Sequence, residues 1–286
     1  MKIPILPLIA TSFLITLLAA PAFAQDRRSS LDPARVDFVL GSFQFTLLHE
    51  LAHVAIGDLD VPILGPEEFA ADYLATLVLI QPIQPSSFDA AERRGFAVTA
   101  ADAFLAMWQL AESHGVSPPY WDVHGLSIQR FYTIACLVYG SNPERFASVP
   151  ERAQMPALRS AGCPSEYARA RKSLEWLVSF AERSGAERPD ATMSVRYEPA
   201  HSQTSAGITN EIRGIRLVER TLRSFEKTVP LDGDAEVVLR ACGIPEAAWH
   251  ADRRELVLCY ELLDMYYLLG ADRHEQAIGT LREEER

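Results

Sequence analysis

The sequence predicts an α+β fold, mostly α, with a helical N-terminal part and a small sheet in the C-terminal hundred residues. Three observations carry this. From Val36 to about Arg183, apolar residues recur at three- and four-residue spacing. Near SGAERPDATMS the texture changes. Beyond it, MSVRYEP, DAEVVLRACG and RELVLCYEL are short Val- and Leu-rich runs of strand length. The chain has 286 residues, 48% hydrophobic and 23% charged, which suits one large globular domain or two small ones.

Residues 1–24 read as a signal peptide. MKIPILPLIATSFLITLLAAPAFAQ has one early lysine, a long apolar run, and Ala22 and Ala24 as the small residues a signal peptidase reads, so cleavage is expected after Ala24. A retained membrane anchor is the alternative, disfavoured by the Pro21 break and the cleavage site. The expected location is periplasmic or secreted, with no stable membrane insertion after cleavage.

The elements then follow in order. A first helix runs from Val36 to about Gly57, where Gly57 and Asp58 stop it. After the loop DLDVPILGP, Pro66 opens a second helix, PEEFAADYLATLVLI, with acids in its first turn. A third covers roughly Val98 to Ser113, a fourth Leu126 to Tyr139 and a fifth Ser165 to Arg183, with SPPYWD as a loop. MSVRYEP is a strand, ITNEIRGIRLVERTLRSFEK one amphipathic helix, and the Val/Leu runs near 235 and 255 two more strands. YELLDMYYLLG is a last helix before the charged tail GTLREEER. Residues 25–187 thus form a helical part, and 188–286 an α+β part expected to complete the same domain.

Charge narrows the partners. The formal net charge is −11 and no basic cluster stands out, which argues against nucleic acid and anionic membrane. The four cysteines, Cys136, Cys163, Cys242 and Cys259, make two disulfides plausible for an exported chain. Proximity in sequence favours Cys136–Cys163 and Cys242–Cys259; four buried thiols are the alternative.

The chemistry sits in TLLHELAHVAIGD. His49 and His53, four residues apart, share one helix face and can reach one metal ion. Glu50, beside the first histidine, is turned aside from the ion but can act on a water whose pKa the ion lowers. It would take that proton and later deliver it to the leaving amine. Uncharged neighbours (Thr46, Leu47, Leu51, Ala52, Val54 and Ala55) argue for a buried helix rather than a surface coincidence. A hydrolytic zinc needs a third protein ligand and one open position. The H-E-x-x-H-x-x-G-x-x-H route fails, because Ile56 and Leu59 stand where it needs glycine and histidine. The following helix supplies the alternative. Glu68 and Asp72 share a face there, with Glu68 as ligand and Asp72 placed to accept the far N–H of a histidine. Glu67 is turned away by about 100° and reads as a first-turn acid stabilising the helix dipole.

HELAH followed by EEFAAD resembles a gluzincin site, the zinc-peptidase class with Glu-x-x-x-Asp on the helix after the motif. More narrowly, LLHELAHVAIGDLDVPILGPEEFAADYLATLVL resembles a bacterial family of putative metallopeptidases of unknown function. WDVHGLSIQRFYTIACLVYG is similar to a later segment of that family, and CG…LVLCYELL to another. The resemblance implies a gluzincin-like fold, but with one difference of order. In the family the strand-rich portion with the CG…CYEL pattern usually precedes the zinc helix; here it follows, from Met193 onward. Gluzincin-like sites hold extended substrate against an edge strand beside the active-site helix. Only about a dozen mature residues precede that helix, too few for a sheet of 3 or more strands. A circularly permuted arrangement is therefore expected, with a separate accessory domain as the alternative. CGIPEAAWHAD departs from the family, carrying Glu246 and Trp249 where Asn-Ala and a Tyr are usual.

An oxyanion stabiliser is also needed. His124 in WDVHG is the candidate, with Asp122 and Arg130 nearby and without an assigned role. Tyr120, Tyr132 and Tyr260 are alternatives, while Trp121, Phe131 and Trp176 read as packing residues. The expected function is a zinc metalloendopeptidase-like hydrolase, with one Zn²⁺ per chain on His49, His53 and Glu68, Glu50 as general base, and a peptide or protein substrate. A secreted zinc-binding module or pseudo-peptidase without hydrolysis is the alternative. Deformylase-type hydrolysis is disfavoured by export.

Overall fold

The computed structural model describes residues 31–81, 88–184 and 191–272. The leader and the charged tail lie outside them. Helix α1 (Pro33–Asp58) starts with Pro33 in its first turn and the Asp32 side chain accepting from the Ala34 amide. It is apolar and long enough to cross a membrane, yet 89% of its most apolar window is buried in protein, which makes it the central core helix. On it pack α2 (Glu67–Ile80) and α3 (Ala90–Ser113); α4 (Ser127–Ser141) packs on α2 and α3, α6 (Ala157–Ser184) on α4 and α2, and the single turn α5 (Val149–Arg152) on α4.

Two of these helices begin earlier than periodicity predicts. Asp89 and Glu92 form a reciprocal capping box that starts α3 at Ala90. Helix α6 runs through Pro164, which forgoes one helical hydrogen bond. The Cys136–Cys163 disulfide pins that turn to α4. Close approach is part of the same contact: a Cβ on Gly140 would stand 2.3 Å from the Cys163 carbonyl oxygen.

The second half supplies β1 (Met193–Tyr197), α7 (Gln203–Gly214), α8 (Leu217–Glu226), β2 (Ala235–Arg240), β3 (Ala247–His250), β4 (Glu255–Cys259) and α9 (Tyr260–Leu269). The single helix expected over 208–227 is two, because Arg216 takes a left-handed conformation (φ 54°) between α7 and α8. The sheet order is β1-β2-β4-β3, with β1, β2 and β4 parallel and β3 antiparallel at the edge. Strand β3 is not foreseen from AAWH, which lacks a period-2 pattern. The Cys242–Cys259 disulfide closes the chain leading from β2 towards it against the end of β4. The fold is thus α+β and mostly α, and two disulfides point to maturation in an oxidising compartment.

Buried apolar residues of both halves share one cluster, with Phe43, Leu47, Leu51, Ile134 and Leu79 packed together with Val237, Leu239, Leu258 and Tyr260. Polar ties run from α1 to the second half at both ends and the middle. The Arg35 side chain donates to the Tyr267 carbonyl, Gln44 pairs with Thr221, and Asp58 pairs bidentately with Arg254. Sheet and helices therefore meet on α1, with β3 the strand that contacts α1 most.

Candidate metal centre

Helix α1 buries His49 and Glu50, at 5% and 7% exposure, on a stretch flanked by Leu48, Leu51 and Ala52. The connection to α2 turns through Asp60 (φ 48°) and Gly65 (φ 102°) into Pro66. The positive φ at Gly65 favours the residue with no Cβ. This turn delivers Glu67 and Glu68 in the first turn of α2, facing the histidines.

Four donor atoms converge. The Oε2 of Glu68 stands 3.0 Å from His49 Nε2, 3.0 Å from His124 Nε2 and 3.5 Å from His53 Nε2, and the two α1 histidines are 3.3 Å apart at Nε2. Donors held about 2.1 Å from one ion at tetrahedral angles stand roughly 3.4 Å apart. These pairs are at zinc-ligand spacing, and His49, Glu68 and His124, whose donor atoms all lie within 4.8 Å of one another, form a group that could hold a cation; His53 lies beside His49 and Glu68 but outside that group.

Each imidazole is also gripped from behind. His49 Nδ1 lies 3.0 Å from Asp72 Oδ1, His53 Nδ1 2.6 Å from Glu67 Oε1, and His124 Nδ1 2.8 Å from Asp122 Oδ1. A carboxylate on Nδ1 fixes that nitrogen as the donor and leaves Nε2 free to bind a cation. Without a cation, all three rings could donate to the one Glu68 oxygen only as imidazolium.

The electrostatics follow from this crowding. Burial alone would raise the Glu68 pKa, but hydrogen bonds from His124, His49 and His53 drive it far below the usual carboxylate range. Burial would lower His53, yet Glu68 and Glu67 lift it to about 9. His49 is raised in the same way, burial being outweighed by Asp72 and Glu68. His124 is raised chiefly by its bond to Glu68. Asp72 is lowered despite its burial, by His49 and by Arg130. Arg130 grips Asp72 through Nε at 2.7 Å and Nη2 at 2.6 Å while its guanidinium lies 4.0 Å over the Phe104 ring.

Glu50 points elsewhere. Its pKa is raised, mainly by burial, against the pull of His49 and His53, with the main chain of Trp249 in β3 close enough to favour the charged form. That contact agrees with the register of the strand. Glu246 gives its carbonyl to the Cys259 amide, so Ala248 and His250 face β4 in turn. Ala247 and Trp249 turn their main-chain groups away from β4.

The expected residues thus separate clearly. His49, His53, Glu68, Asp72 and His124 come together, with Glu50 at their side. Among the alternatives, Tyr260 is fully buried with its hydroxyl donating to the Glu198 carbonyl, and Tyr132 packs against the core. Phe131 is core, as its pattern suggests. Trp121 is not a packing residue: it is 85% exposed, on a loop tip beyond the helices, as is Tyr120. Trp176 is half-exposed and stacks on Phe180 along α6. From the sequence Glu67 has only a dipole role, Arg130 has none, and the main chain of Trp249 beside Glu50 is not foreseen. A carboxylate fourteen residues from His53, and a main-chain group almost two hundred residues from Glu50, leave no local signal.

Residues 16–178, more than half of the chain, match the model of a family described as putative metallopeptidase, DUF4344. The matched span holds α1, α2, the His124 loop and α4. No curated protein and no solved structure matches the chain. The HELAH helix, the carboxylate helix after it and the family match agree, and the chain belongs to this putative metallopeptidase family.

Proposed function

We propose that the protein is a periplasmic or secreted zinc-dependent metallopeptidase. The observation that carries this is the meeting of His49, His53 and His124 Nε2 on one Glu68 oxygen, each ring backed by its own carboxylate. His49, His53 and Glu68 would hold the ion. A zinc ion bound there would polarise a substrate carbonyl and lower the pKa of water in the site towards about 7. Glu50 takes a proton from the attacking water and returns it to the leaving amine; its raised pKa suits a group that must do both. Asp72 and Glu67 keep the imidazoles in one tautomer.

The substrate is read as an extended peptide. Ala247 and the Trp249 carbonyl, turned away from β4, offer main-chain groups at a sheet edge beside α1, which suits strand addition. On this reading residues 191–272 complete the catalytic domain, in a permuted order relative to the gluzincin pattern. The shared core and the Glu50–Trp249 contact support it. A second reading, a zinc-holding module without hydrolysis, draws on His124 as a donor beside His49 and Glu68, since sites closed by protein ligands are structural. Glu50 speaks against it, because a structural zinc has no use for a buried carboxylate beside its ligands.

The test is metal analysis of the purified protein together with a peptide-library digest. About one zinc per chain is expected, and Glu50→Gln should keep the zinc while losing cleavage by about 10²-fold or more. Cleavage unchanged in Glu50→Gln would rule out the mechanism, and a protein without zinc after gentle purification would rule out the site. A chain ending before residue 191 should be unstable and inactive; full activity in that fragment would favour separate domains.

A further inference from the structure

We propose that His124 is a displaceable donor to the metal centre, and that residues 115–126 form a strap which caps the centre until substrate lifts it. This rests on the metallopeptidase reading above and adds a regulation to that same site. Two observations carry it. The first is the equivalence of His124 and His49. Both present Nε2 at 3.0 Å to the same Glu68 oxygen, both give Nδ1 to an aspartate, and the rings lie 6.4 Å apart at an interplanar angle of 23°. An oxyanion donor needs a hydrogen on Nε2 aimed at the substrate; this ring instead points Nε2 into the donor cluster. His124 thus stands with His49 and Glu68 as a donor outside the His49–His53–Glu68 ligand set, where a hydrolytic zinc keeps a position open.

The second observation is how little else holds the strap. Residues 119–124 are exposed, with Tyr120, Trp121 and Val123 all more than half so. Among the described residues, the hydrogen bonds of 116–123 close within the strap or onto the end of α3: Val116 to Ala111, Tyr120 to Pro118, Asp122 to Pro119. Asp122 then orients His124 through both its ring and its main-chain N–H, each at 2.8 Å. Gly115 (φ 63°) begins the strap, and Gly125 ends it against Phe69. A segment with so few contacts opens at low cost compared with the helices. His49 and His53, on the buried core helix, do not have that freedom. His124 is therefore the donor that leaves, and its departure opens the position that the chemistry needs.

The test compares wild type with His124→Ala, each loaded with zinc and, in parallel, with cobalt. Asp122→Ala serves as a milder variant that keeps the imidazole and removes its orienting partner. The visible cobalt band should shift in His124→Ala. Zinc affinity, measured against a competing chelator, should fall at least about tenfold, the scale seen when even an outer partner is lost. Acetohydroxamate at saturating zinc should bind His124→Ala about tenfold tighter or more, as expected if the strap is closed roughly nine-tenths of the time. Asp122→Ala should fall between the two. Superimposable cobalt spectra with equal hydroxamate affinity would overturn the cap. So would a loss of peptide cleavage with both readouts unchanged, which would return His124 to an oxyanion role. Wild-type protein that binds no zinc would instead remove the underlying reading, so the two failures can be told apart.

Discussion

Replacing Asp72 by alanine removes one carboxylate from two buried partners at once. Its Oδ1 holds His49 Nδ1 at 3.0 Å, and both of its oxygens hold Arg130, at 2.6 and 2.7 Å. The side chains are 8% exposed for Asp72 and 16% for Arg130, so water does not readily replace either contact. Breaking a buried ion pair from one side costs about 3–5 kcal/mol, because the remaining charge is left uncompensated. This cost belongs to the fold and should appear in urea unfolding of the chelator-treated protein. A separate cost belongs to the metal. His49 loses the group that fixes its tautomer, and zinc affinity should fall roughly 10- to 100-fold, equivalent to about 1.4–2.7 kcal/mol. The double variant Asp72→Ala/Arg130→Met separates the two, since it removes the orphaned guanidinium without restoring the His49 partner. It should recover about half or more of the lost stability and none of the zinc affinity. Zinc affinity within about twofold of wild type in Asp72→Ala would refute the reasoning, because His49 would then need no carboxylate behind it.

Three further outcomes are expected. Gly140→Ala should lower stability by about 1–3 kcal/mol, since its Cβ would meet the Cys163 carbonyl at 2.3 Å; an unchanged Tm would mean that α4 and α6 can part freely. In the metal-free protein the His53 pKa is raised from 6.5 to about 9, so its contribution to stability is full below pH 6.5 and is lost as the pH rises to about 9. The Tm of the chelator-treated protein should therefore drop across that window while the zinc-loaded protein does not follow, and a flat metal-free profile would contradict the Glu67–His53–Glu68 contacts. Replacing Cys242 and Cys259 by serine opens a loop of sequence separation 17 and should cost about 3 kcal/mol, read by urea unfolding, with a cost under about 1 kcal/mol counting against it.

What the sequence made legible is what local periodicity controls. His49 and His53 share a helix face because four residues are about one turn, and Glu68 and Asp72 share one for the same reason. Pro66 followed by two acids marks the start of α2 as observed. Boundaries slipped where a cap outweighed the apolar pattern, as at Asp89, and where a disulfide held a proline inside a helix, as at Pro164. The break at Arg216 was hidden because the apolar spacing runs on through it. Strand β3 exists through its pairing with β4, and four half-buried residues reveal no partner. His124 was picked out by residue type, but its role depends on where a thirteen-residue connection returns, and periodicity says nothing of that.

The site is therefore a problem of convergence. Its clustered side chains come from α1, α2 and the loop before α4, and Glu50 on α1 lies beside the main chain of β3. A carboxylate of raised pKa beside two histidines could drift onto the cation and block it. On the proposed reading, the main chain of Trp249 beside Glu50 favours a carboxylate held near β3 rather than on the ion. The same strand turns Ala247 outward, where an extended peptide would pair. On the proposed reading the base on α1 and the substrate edge on β3 are neighbouring elements of one core. This argues that the C-terminal strands belong to the chemistry on the proposed reading. A change that shifts β3, such as Trp249→Pro, which deletes the main-chain N–H there, should lower kcat while the zinc stays bound, because no donor to the ion lies on the strand.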